Sequence, residues 1–513
     1  MMNTLTSSSN HQSFWIASTL QSSYPSLTQN MRVDVVIVGA GLAGVTAAML
    51  LKKAGKRVAV LEAGRIAEGA SGHTTAKVTS LHHLLYASLI DEIGKDKARL
   101  YGESNQAAVE QVAKLVSTEQ IDCDFERKDA YTFAETDETL DKIKAEVEAA
   151  QQLGLPATYV KDTPLPFDVL GAVKFSHQAQ FHPRKYILNL AGKIDGEGSF
   201  VFEQTRVSTV DGDKPCHVRT VDGATVTADD VIIATHLPIL DQGLFFAKTF
   251  PQRSYLIGAK IDPSKAPDGM LIGTGKDYRS IRATPTDDGG HLLLIGGEGH
   301  KVGEVSDSEA RFARLANYAH RKFGVEAIDY YWSSQDMVSF DKLPYIGQLT
   351  PMNQHIYVAT GFSLWGMSNA TLSAMILRDL ILGQPNPWAE LYDATRPTPF
   401  ISQDSIKNNL DVGTHWIGDR FKGLFDSPEN VKPGEGKLVT AKGEKVAAYR
   451  DDAGVLHQVS AVCPHLGCIV AWNGAEKSWD CPCHGSRFDT EGNILEGPAV
   501  NPLKSCQPEA IPQ

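Results

Sequence analysis

The most strongly patterned stretch of the chain runs from Val33 to Glu62. Apolar positions at 33–38 predict a buried strand, glycines follow at 39, 41 and 44, a helical repeat extends to Gly55, and a second apolar run ends at Glu62. A strand, a Gly-x-Gly-x-x-Gly turn, a helix and a second strand in this order are typical of a dinucleotide-binding βαβ unit. We therefore interpret the rest of the chain around this unit.

Each glycine of the turn has its own predicted task. Gly39 allows the tight turn, Gly41 lets the backbone approach a pyrophosphate, and Gly44 lets helix and strand pack closely. The phosphate charge is expected at the N-terminus of the helix. Glu62 follows at about the 20-residue spacing at which an acidic side chain binds ribose hydroxyls. Further candidates for cofactor contact are the neighbouring residues Leu42, Ala43 and Ala63.

The stretch after Glu62 is rich in Gly, Ser and Thr and shows no helical pattern until about residue 81. Its backbone amides and hydroxyls, including that of Ser71, suit a flavin or a phosphate. His73 lies in this stretch and could attach a flavin covalently. A histidine in a polar loop is more often a hydrogen-bond partner, and covalent attachment is not predicted.

Later patterns alternate between helices and strands. Helical periodicity covers 83–117, 136–153 and 308–322, while strand patterns and turns cover 199–235 and 255–297. The last patterned stretch of this part, residues 356–383, reads as a strand, a glycine turn and a helix. The helix N-terminus after Gly361, Phe362 and Gly366 is a positive dipole end, suited to the negative charge of a reduced flavin.

Length and composition narrow the class of protein. A chain of 513 residues should form several domains. The net charge of −12, without a block of Lys or Arg, argues against nucleic-acid binding. The first 30 residues lack the features of a signal peptide, and no apolar run reaches membrane-spanning length, so we expect a cytoplasmic protein without a membrane span.

Five motifs in a fixed order resemble the D-amino-acid-oxidase and glycine-oxidase-like family of FAD oxidoreductases. They are GAGLAG with Glu62, GASG at 69–72, DDVIIAT at 229–235, DKLPYIG at 341–347, and VATGF-x3-G at 358–366. The resemblance spans about residues 13–397. It implies FAD as the cofactor, with contacts that include Val207, Ala234, Thr235 and Gly347.

The resemblance also implies a discontinuous architecture. We expect an N-terminal tail and lead-in at 1–30 and an α/β, Rossmann-like FAD-binding domain of the glutathione-reductase type, with an inserted α+β substrate domain. The expected FAD-binding parts are about 31–100, 175–240 and 335–397, and the expected substrate-domain parts are about 101–174 and 241–334. A linker at 398–430 and a small all-β domain at 431–513 follow.

The candidates for chemistry at the flavin are Tyr255, Arg282 and Asp336. Family members that oxidise amino acids usually supply an Arg for the substrate carboxylate between the positions of Trp332 and Asp341. This chain has no Lys or Arg from 333 to 341. That difference slightly favours an amine over an amino acid as the substrate.

Four of the seven cysteines cluster near the C-terminus, where the sequence has the form C-x-H-x15-C-x-x-H. Cys463, His465, Cys481 and His484 could place one thiolate and one imidazole on each of two loops. This set fits a [2Fe-2S] cluster with two Cys on one iron and two His on the other. A structural zinc site is the alternative, since two Cys and two His also bind zinc.

The surrounding motifs, CPHLGC, CPCHGS and Gly497-Pro498-Ala499, resemble the Rieske family and favour the cluster. The resemblance implies that Cys468 and Cys483 form the disulfide that links the two cluster loops in Rieske proteins of cytochrome complexes. It also implies that the ligand histidines reach a protein surface, where a partner could bind. Those relatives carry a Tyr four residues after the second His, whereas this chain has Phe488.

Together these features predict a flavin oxidoreductase that oxidises a C–N bond of an amine or amino acid. Electrons would leave through the cluster to an external one-electron acceptor. A reductase running from a nicotinamide donor would need a second nucleotide site, and none is found in the sequence. An oxygenase would need a mononuclear iron triad, but Lys174 replaces the carboxylate expected before His177 and His182. A non-enzymatic redox sensor or electron-transfer protein remains an alternative.

Overall fold

The structure is a computed structural model that describes residues 9–303, 307–397, 427–441 and 443–506. Most of the expected linker and the two chain ends lie outside these ranges. The helices of the described residues are α1 Phe14–Ala17, α2 Leu42–Lys53, α3 Tyr86–Ile93, α4 Lys95–Thr118, α5 Asp137–Gln152, α6 Pro183–Ile194, α7 Ser308–Phe323 and α8 Gly366–Ile381.

The strands of the first three sheets are β1 Met31–Arg32, β2 Val35–Val38, β3 Val58–Leu61, β4 Lys77–Val78, β5 Glu126–Ala134, β6 Ala157–Val160, β7 Gly171–Gln180, β8 Phe200–Phe202, β9 Val207–Gly212, β10 Cys216–Thr220, β11 Thr225–Ala228, β12 Asp230–Ile233, β13 Thr249–Ile261, β14 Met270–Gly273, β15 Arg279–Pro285, β16 His291–Lys301, β17 Tyr330–Ser339, β18 Tyr345–Gln348 and β19 Ile356–Thr360. The C-terminal strands are β20 Gly436–Ala441, β21 Glu444–Arg450, β22 Leu456–Ser460, β23 Ala471–Asn473, β24 Ser478–Asp480, β25 Arg487–Phe488 and β26 Ile494–Glu496.

A six-stranded sheet in the order β18-β19-β12-β2-β3-β8 contains the glycine turn. All neighbours pair in parallel except β18 and β19. Every residue of β2, β3 and β12 is buried, as expected for parallel strands covered on both faces. Helices α2 and α8 pack against each other beside this sheet, and both start at strand ends that face one cavity.

A larger, mainly antiparallel sheet has the order β17-β13-β16-β15-β14-β5-β7-β4, with β6 added beside β7. Its strands come from three separate stretches of the chain, which confirms the expected FAD-binding α/β fold with an inserted α+β sheet. A small sheet, β1-β11-β10-β9, completes this part. Helix α4 runs unbroken across the expected boundary at residue 101, so the exact boundaries stay predictions.

The C-terminal part is all-β, as expected. It consists of the sheets β20-β21-β22 and β23-β24-β25-β26, and its core contains Trp479 and Phe488, both fully buried. The helices expected at 83–117, 136–153 and 308–322 are confirmed as α3 with α4, α5 and α7. Within the described ranges, no helix combines the length and the apolar character that a membrane crossing requires.

Candidate functional site

A cavity of about 540 Å³ opens at the carboxyl ends of β2, β3 and β12. This is where α/β sheets bind nucleotides. The predicted cofactor contacts that line it are Gly39, Gly41, Leu42, Ala43, Glu62, Ala63, Ser71, Val207, Ala234, Thr235, Phe362 and Gly366. The volume lies in the range of cofactor sites.

The glycine turn has the close contacts that its sequence predicts. Gly39 has φ of +104°, and a Cβ there would lie 2.5 Å from the Ala234 carbonyl oxygen. A Cβ on Gly44 would lie 2.0 Å from the Gly39 carbonyl oxygen, so Gly44 serves close packing and does not line the cavity. Gly41 is the N-cap of α2, and it lines the cavity together with Leu42 and Ala43, so the positive end of this helix faces the cavity.

Two side chains hold this turn in place. Glu62 accepts hydrogen bonds from the backbone amides of Ala40 and Gly64, each at 2.8 Å. Burial raises the pKa of the Glu62 carboxyl, and these two hydrogen bonds oppose that effect. Ser71 Oγ accepts a hydrogen bond from the Leu42 amide at 3.0 Å. The polar stretch predicted to contact the cofactor therefore also supports the glycine turn.

A second helix end meets the same cavity. Helix α8 begins beside Phe362 and Gly366, which line the cavity, and no side chain caps its first turn. Two other predicted contact residues, Gly347 and Gly361, do not line this cavity. A Cβ on Gly361 would lie 3.0 Å from the Tyr345 ring, and Gly347 has φ of +139°, so the backbone favours glycine at both positions.

A smaller cavity of about 240 Å³ adjoins the first. Asp336 of β17 and His73 line both cavities, so they lie where the two meet. Burial raises the pKa of the Asp336 carboxyl to about 7, although a hydrogen bond from the Leu364 amide favours its ionised form. A carboxyl with this pKa can exchange a proton near neutral pH.

The other two candidates for the chemistry occupy different places. Tyr255 lines the smaller cavity, and its hydroxyl lies 3.1 Å from His300 Nε2. Arg282 lines neither cavity. Its Nη1 donates to the carbonyl oxygens of Ala76 at 2.8 Å and Thr75 at 3.2 Å, and its guanidinium lies over the Trp15 ring. Arg282 therefore positions the strand beside the cavity and does not face it.

Lys77 is a cavity residue that the sequence argument missed. It lies on β4, lines the smaller cavity and is only 6% exposed. Its Nζ donates to the Leu271 carbonyl oxygen at 3.0 Å and to Ser280 Oγ, and no ion pair with a carboxylate is found for it among the described residues. Burial lowers the pKa of Lys77 well below its usual value, and Arg282 adds to the effect.

The predicted metal ligands meet on two loops of the C-terminal domain. Cys463 and Cys481 bring their sulfur atoms into contact, and the rings of His465 and His484 are 5.0 Å apart at their centroids. A disulfide joins Cys468 to Cys483 and links the two loops, which confirms the predicted pair.

The state of the two imidazoles fits metal binding. The Nδ1 atoms of His465 and His484 are buried and have no hydrogen-bond partner in the described part of the chain. Burial lowers the pKa of His484 to about 3, so its ring is neutral and a lone pair is available. Buried polar atoms without a partner are rare, and iron ligation would satisfy both.

The cluster loops pack against the flavin-binding part of the chain. His465 Nε2 lies 2.9 Å from Asp241 Oδ1, and the Phe246 ring packs against His484 at 5.2 Å between centroids. His484 is 6% exposed. The expectation that both ligand histidines reach an open surface is therefore wrong, because residues from the segment after β12 cover them.

Buried ion pairs extend this contact between the domains. Arg253 of β13 pairs with Glu476 at 2.8 Å and with Asp480 at 3.1 Å. Nearby, Gln335 Nε2 donates to the Gly485 carbonyl oxygen at 2.7 Å, one residue after His484. These contacts hold the β23–β24 hairpin against β13 and the second cluster loop against β17, the strand that carries Asp336.

His177 and His182, whose spacing resembles part of a mononuclear iron site, have separate structural roles. His182 caps α6, where its Nδ1 accepts a hydrogen bond from the Lys185 amide at 3.2 Å, and its Nε2 lies 3.0 Å from Ser18 Oγ. His177 lies on β7 with φ of +58° and is exposed. Lys174 pairs with Asp129 at 3.2 Å.

Comparison with known proteins agrees with both sites. Residues 34–380 match the family described as FAD dependent oxidoreductase (DAO), and residues 424–507 match the Rieske [2Fe-2S] domain. A Bacillus subtilis protein, YhfW, which is named for a Rieske 2Fe-2S iron-sulfur centre, is 37% identical over 501 residues, covering 96% of this chain and 97% of that protein.

Other similar proteins match the flavin part. Gamma-glutamylputrescine oxidoreductase of Escherichia coli is 25% identical over 411 residues, covering 73% of this chain and 89% of that enzyme. The crystal structure of glycine oxidase from Geobacillus kaustophilus superposes with a TM-score of 0.60 at 20% identity, over 71% of this chain and 99% of that one. At this identity the superposition shows the fold alone.

Proposed function

The chain belongs to the FAD dependent oxidoreductase (DAO) family and carries a C-terminal Rieske [2Fe-2S] domain, and we propose that it oxidises a C–N bond of a small amine or amino acid. The substrate would lose a hydride from carbon and a proton from nitrogen. The two electrons would then leave one at a time through the cluster to an external acceptor. FAD, when bound, supplies this conversion because it accepts electrons in pairs and releases them singly.

The observation that carries the proposal is the contact between the cluster loops and the flavin-binding part. Phe246 and Asp241 touch the two ligand histidines, and Arg487 and Glu496 of the Rieske domain line the larger cavity itself. This arrangement supports electron transfer inside the chain from the flavin site to the cluster site. The external acceptor is part of the proposal.

The smaller cavity supports the C–N chemistry. Asp336 lies where the two cavities meet and has a pKa of about 7, raised chiefly by burial. We assign it the task of taking the proton from the substrate nitrogen. Tyr255 and Trp365 provide aromatic walls for the substrate.

Lys77 also bears on the class of substrate. The absence of Lys and Arg at 333–341 favoured an amine, but Lys77 places a buried amino group in the smaller cavity from β4. Burial disfavours the charged form of this group, and a substrate carboxylate would stabilise it. We therefore favour an amino acid, or another amine that carries an acid group.

The test is anaerobic flavin bleaching with a panel of amines and amino acids, followed by stopped-flow measurement in the variant His484→Ala. This variant should bleach with substrate at nearly the original rate while FAD is bound, but turnover with a one-electron acceptor should collapse. His457→Ala, which changes a histidine of the same domain outside the predicted ligand set, is the control and should keep both activities.

Two outcomes would reject the proposal. Bleaching by NADH but by no amine or amino acid would indicate a reductase running in the opposite direction. Loss of bleaching in His484→Ala with FAD still bound would show that the cluster is not downstream of the flavin.

A further inference from the structure

The larger cavity is not formed by the flavin-binding part alone. Seven residues of the Rieske domain also line it: Arg487, Ile494, Leu495, Glu496, Gly497, Ala499 and Val500. They belong to β25, β26 and the segment that follows. Part of the cavity wall is thus supplied by the second domain.

Two polar atoms in this wall region lack partners. Glu496 Oε2 and His236 Nε2 are buried and have no hydrogen-bond partner among the residues that the structure describes. Arg487 Nη1 donates to the other oxygen of Glu496 at 3.0 Å and holds the carboxylate in place. One oxygen is therefore anchored within the Rieske domain, and the other is left without a donor.

These two side chains come from different domains and line the same cavity. Burial lowers the pKa of His236, and the Glu496 carboxylate acts in the opposite direction. His236 follows β12 in the flavin-binding part and also lines the cavity. A buried donor or acceptor without a partner costs about 1–3 kcal/mol, so both atoms indicate a ligand with hydrogen-bonding groups in this cavity.

We propose that the Rieske domain completes the FAD site, with Glu496 and His236 hydrogen-bonding to polar groups of FAD, so that FAD binding and docking of the Rieske domain stabilise each other. The inference concerns the binding of the cofactor and is independent of the substrate. The two effects must be equal in size. A ligand that binds where two domains meet stabilises their docking by the same factor by which docking increases the affinity for the ligand.

Gln335 allows this coupling to be tested away from the cavity. The side-chain amide of Gln335 donates a hydrogen bond to the Gly485 carbonyl oxygen, and Gln335 lines neither cavity. The variant Gln335→Ala weakens docking without removing a cavity residue. The variant Glu496→Gln removes the charge inside the cavity and keeps the shape of the side chain. Glu444→Gln, at an exposed position of the same domain, is the matched control.

The experiment is a fluorescence titration of full-length, cluster-containing apoprotein with FAD. We expect Glu496→Gln to raise the Kd about tenfold, as for loss of one charged hydrogen bond, Gln335→Ala to raise it severalfold, and Glu444→Gln to leave it unchanged. Hydrogen exchange in residues 333–337 and 494–500 should slow when FAD is added to the original protein.

An unchanged Kd in both variants would overturn the proposal, provided that absorbance shows an intact cluster. Faster hydrogen exchange at the domain contact of Gln335→Ala, together with an unchanged Kd for FAD, would also overturn the proposal. Docking of the Rieske domain would then not be coupled to FAD binding. Neither result depends on substrate oxidation, so the bleaching experiment with amines and amino acids would still stand.

Discussion

The imidazole of His465 and the carboxylate of Asp241 meet across the domain contact, with Nε2 and Oδ1 2.9 Å apart. Carboxylates that contact the outer nitrogen of a ligand histidine orient the ring and increase its basicity. With His465 as a predicted iron ligand, this contact would favour the more positive, oxidised state of the cluster. Asp241 would thus link the flavin-binding part to the potential of the cluster.

We predict that Asp241→Asn raises the midpoint potential of the cluster. A partly exposed ion pair contributes about 0–1 kcal/mol. Since a tenfold change in the equilibrium constant of a one-electron couple corresponds to about 59 mV, the rise should stay below about 40 mV. A redox titration followed by electron paramagnetic resonance measures it. Asp229→Asn, in the same part of the chain but paired with Arg32, should leave the potential unchanged, and a fall in Asp241→Asn would contradict the argument.

A second prediction concerns Asp336 and pH. With a pKa of about 7, its carboxyl is protonated below that pH and cannot take a proton from the substrate. The rate of flavin bleaching should therefore rise as pH increases through about 7 and level off above it. Asp336→Asn should lower this rate about 10²-fold, in the range of lost general-base catalysis, and remove the rise. A variant that keeps the same pH dependence would assign the proton transfer to another group.

The third prediction concerns Lys77 and the acid group of the substrate. Lys77→Met should weaken binding of a carboxylate ligand such as acetate by about tenfold or more, as for a lost charged hydrogen bond, and should not affect acetamide. Because burial lowers the pKa of Lys77, its charge is lost at a lower pH than usual. Acetate binding to the original protein should therefore weaken as pH rises through that lowered pKa.

Thermal shift and perturbation of the flavin spectrum measure this binding. Lys128→Met, which changes a lysine that lines neither cavity, is the control. Equal acetate binding by Lys77→Met and the original protein would show that the cation does not face the ligand, and an amine without an acid group would then be the better substrate candidate.

Local sequence order explains which features could be predicted. The glycine turn, Glu62, Ser71 and the cluster ligands each belong to a short motif whose spacing reflects the backbone geometry it must adopt. The structure places Glu62 and Ser71 beside the glycine turn and brings together the two histidines predicted as ligands, while the binding roles stay predictions. The helices also follow from periodicity, since α5 and α7 each bury one face.

The remaining site residues have no local signal. Lys77 and Asp336 are 259 positions apart in the sequence and lie on strands at opposite ends of the order of the larger sheet, yet they line one cavity. Likewise, Glu496 and His236 line one cavity only because the domains dock. Docking also explains why the two histidines were wrongly expected at an open protein surface. A sequence motif specifies the metal ligands but not the residues of another domain that cover them.

The fourth prediction concerns Phe488, whose side chain is fully buried in β25 between Trp479 and Ile494 of the neighbouring strands. Resemblance to the Rieske proteins of cytochrome complexes implies that a Tyr hydroxyl at this position bonds to a ligand sulfur. Hydrogen bonds to sulfur stabilise the reduced, more negative state, so their loss lowers the potential. This cluster should therefore have a lower potential than those relatives.

The variant Phe488→Tyr should raise the midpoint potential, because the added hydroxyl can donate a hydrogen bond to a ligand sulfur. Ser486 should keep its position, since its Oγ accepts a hydrogen bond from the Ala499 amide at 3.1 Å. Tyr449→Phe, which removes a hydroxyl elsewhere in the same domain core, is the matched control and should not shift the potential. If the added hydroxyl does not reach a ligand sulfur, it is buried without a partner, at a cost of about 1–3 kcal/mol. Phe488→Tyr would then be less stable to heat and its midpoint potential would be unchanged. That result would reject the argument that the missing hydroxyl lowers the potential of this cluster.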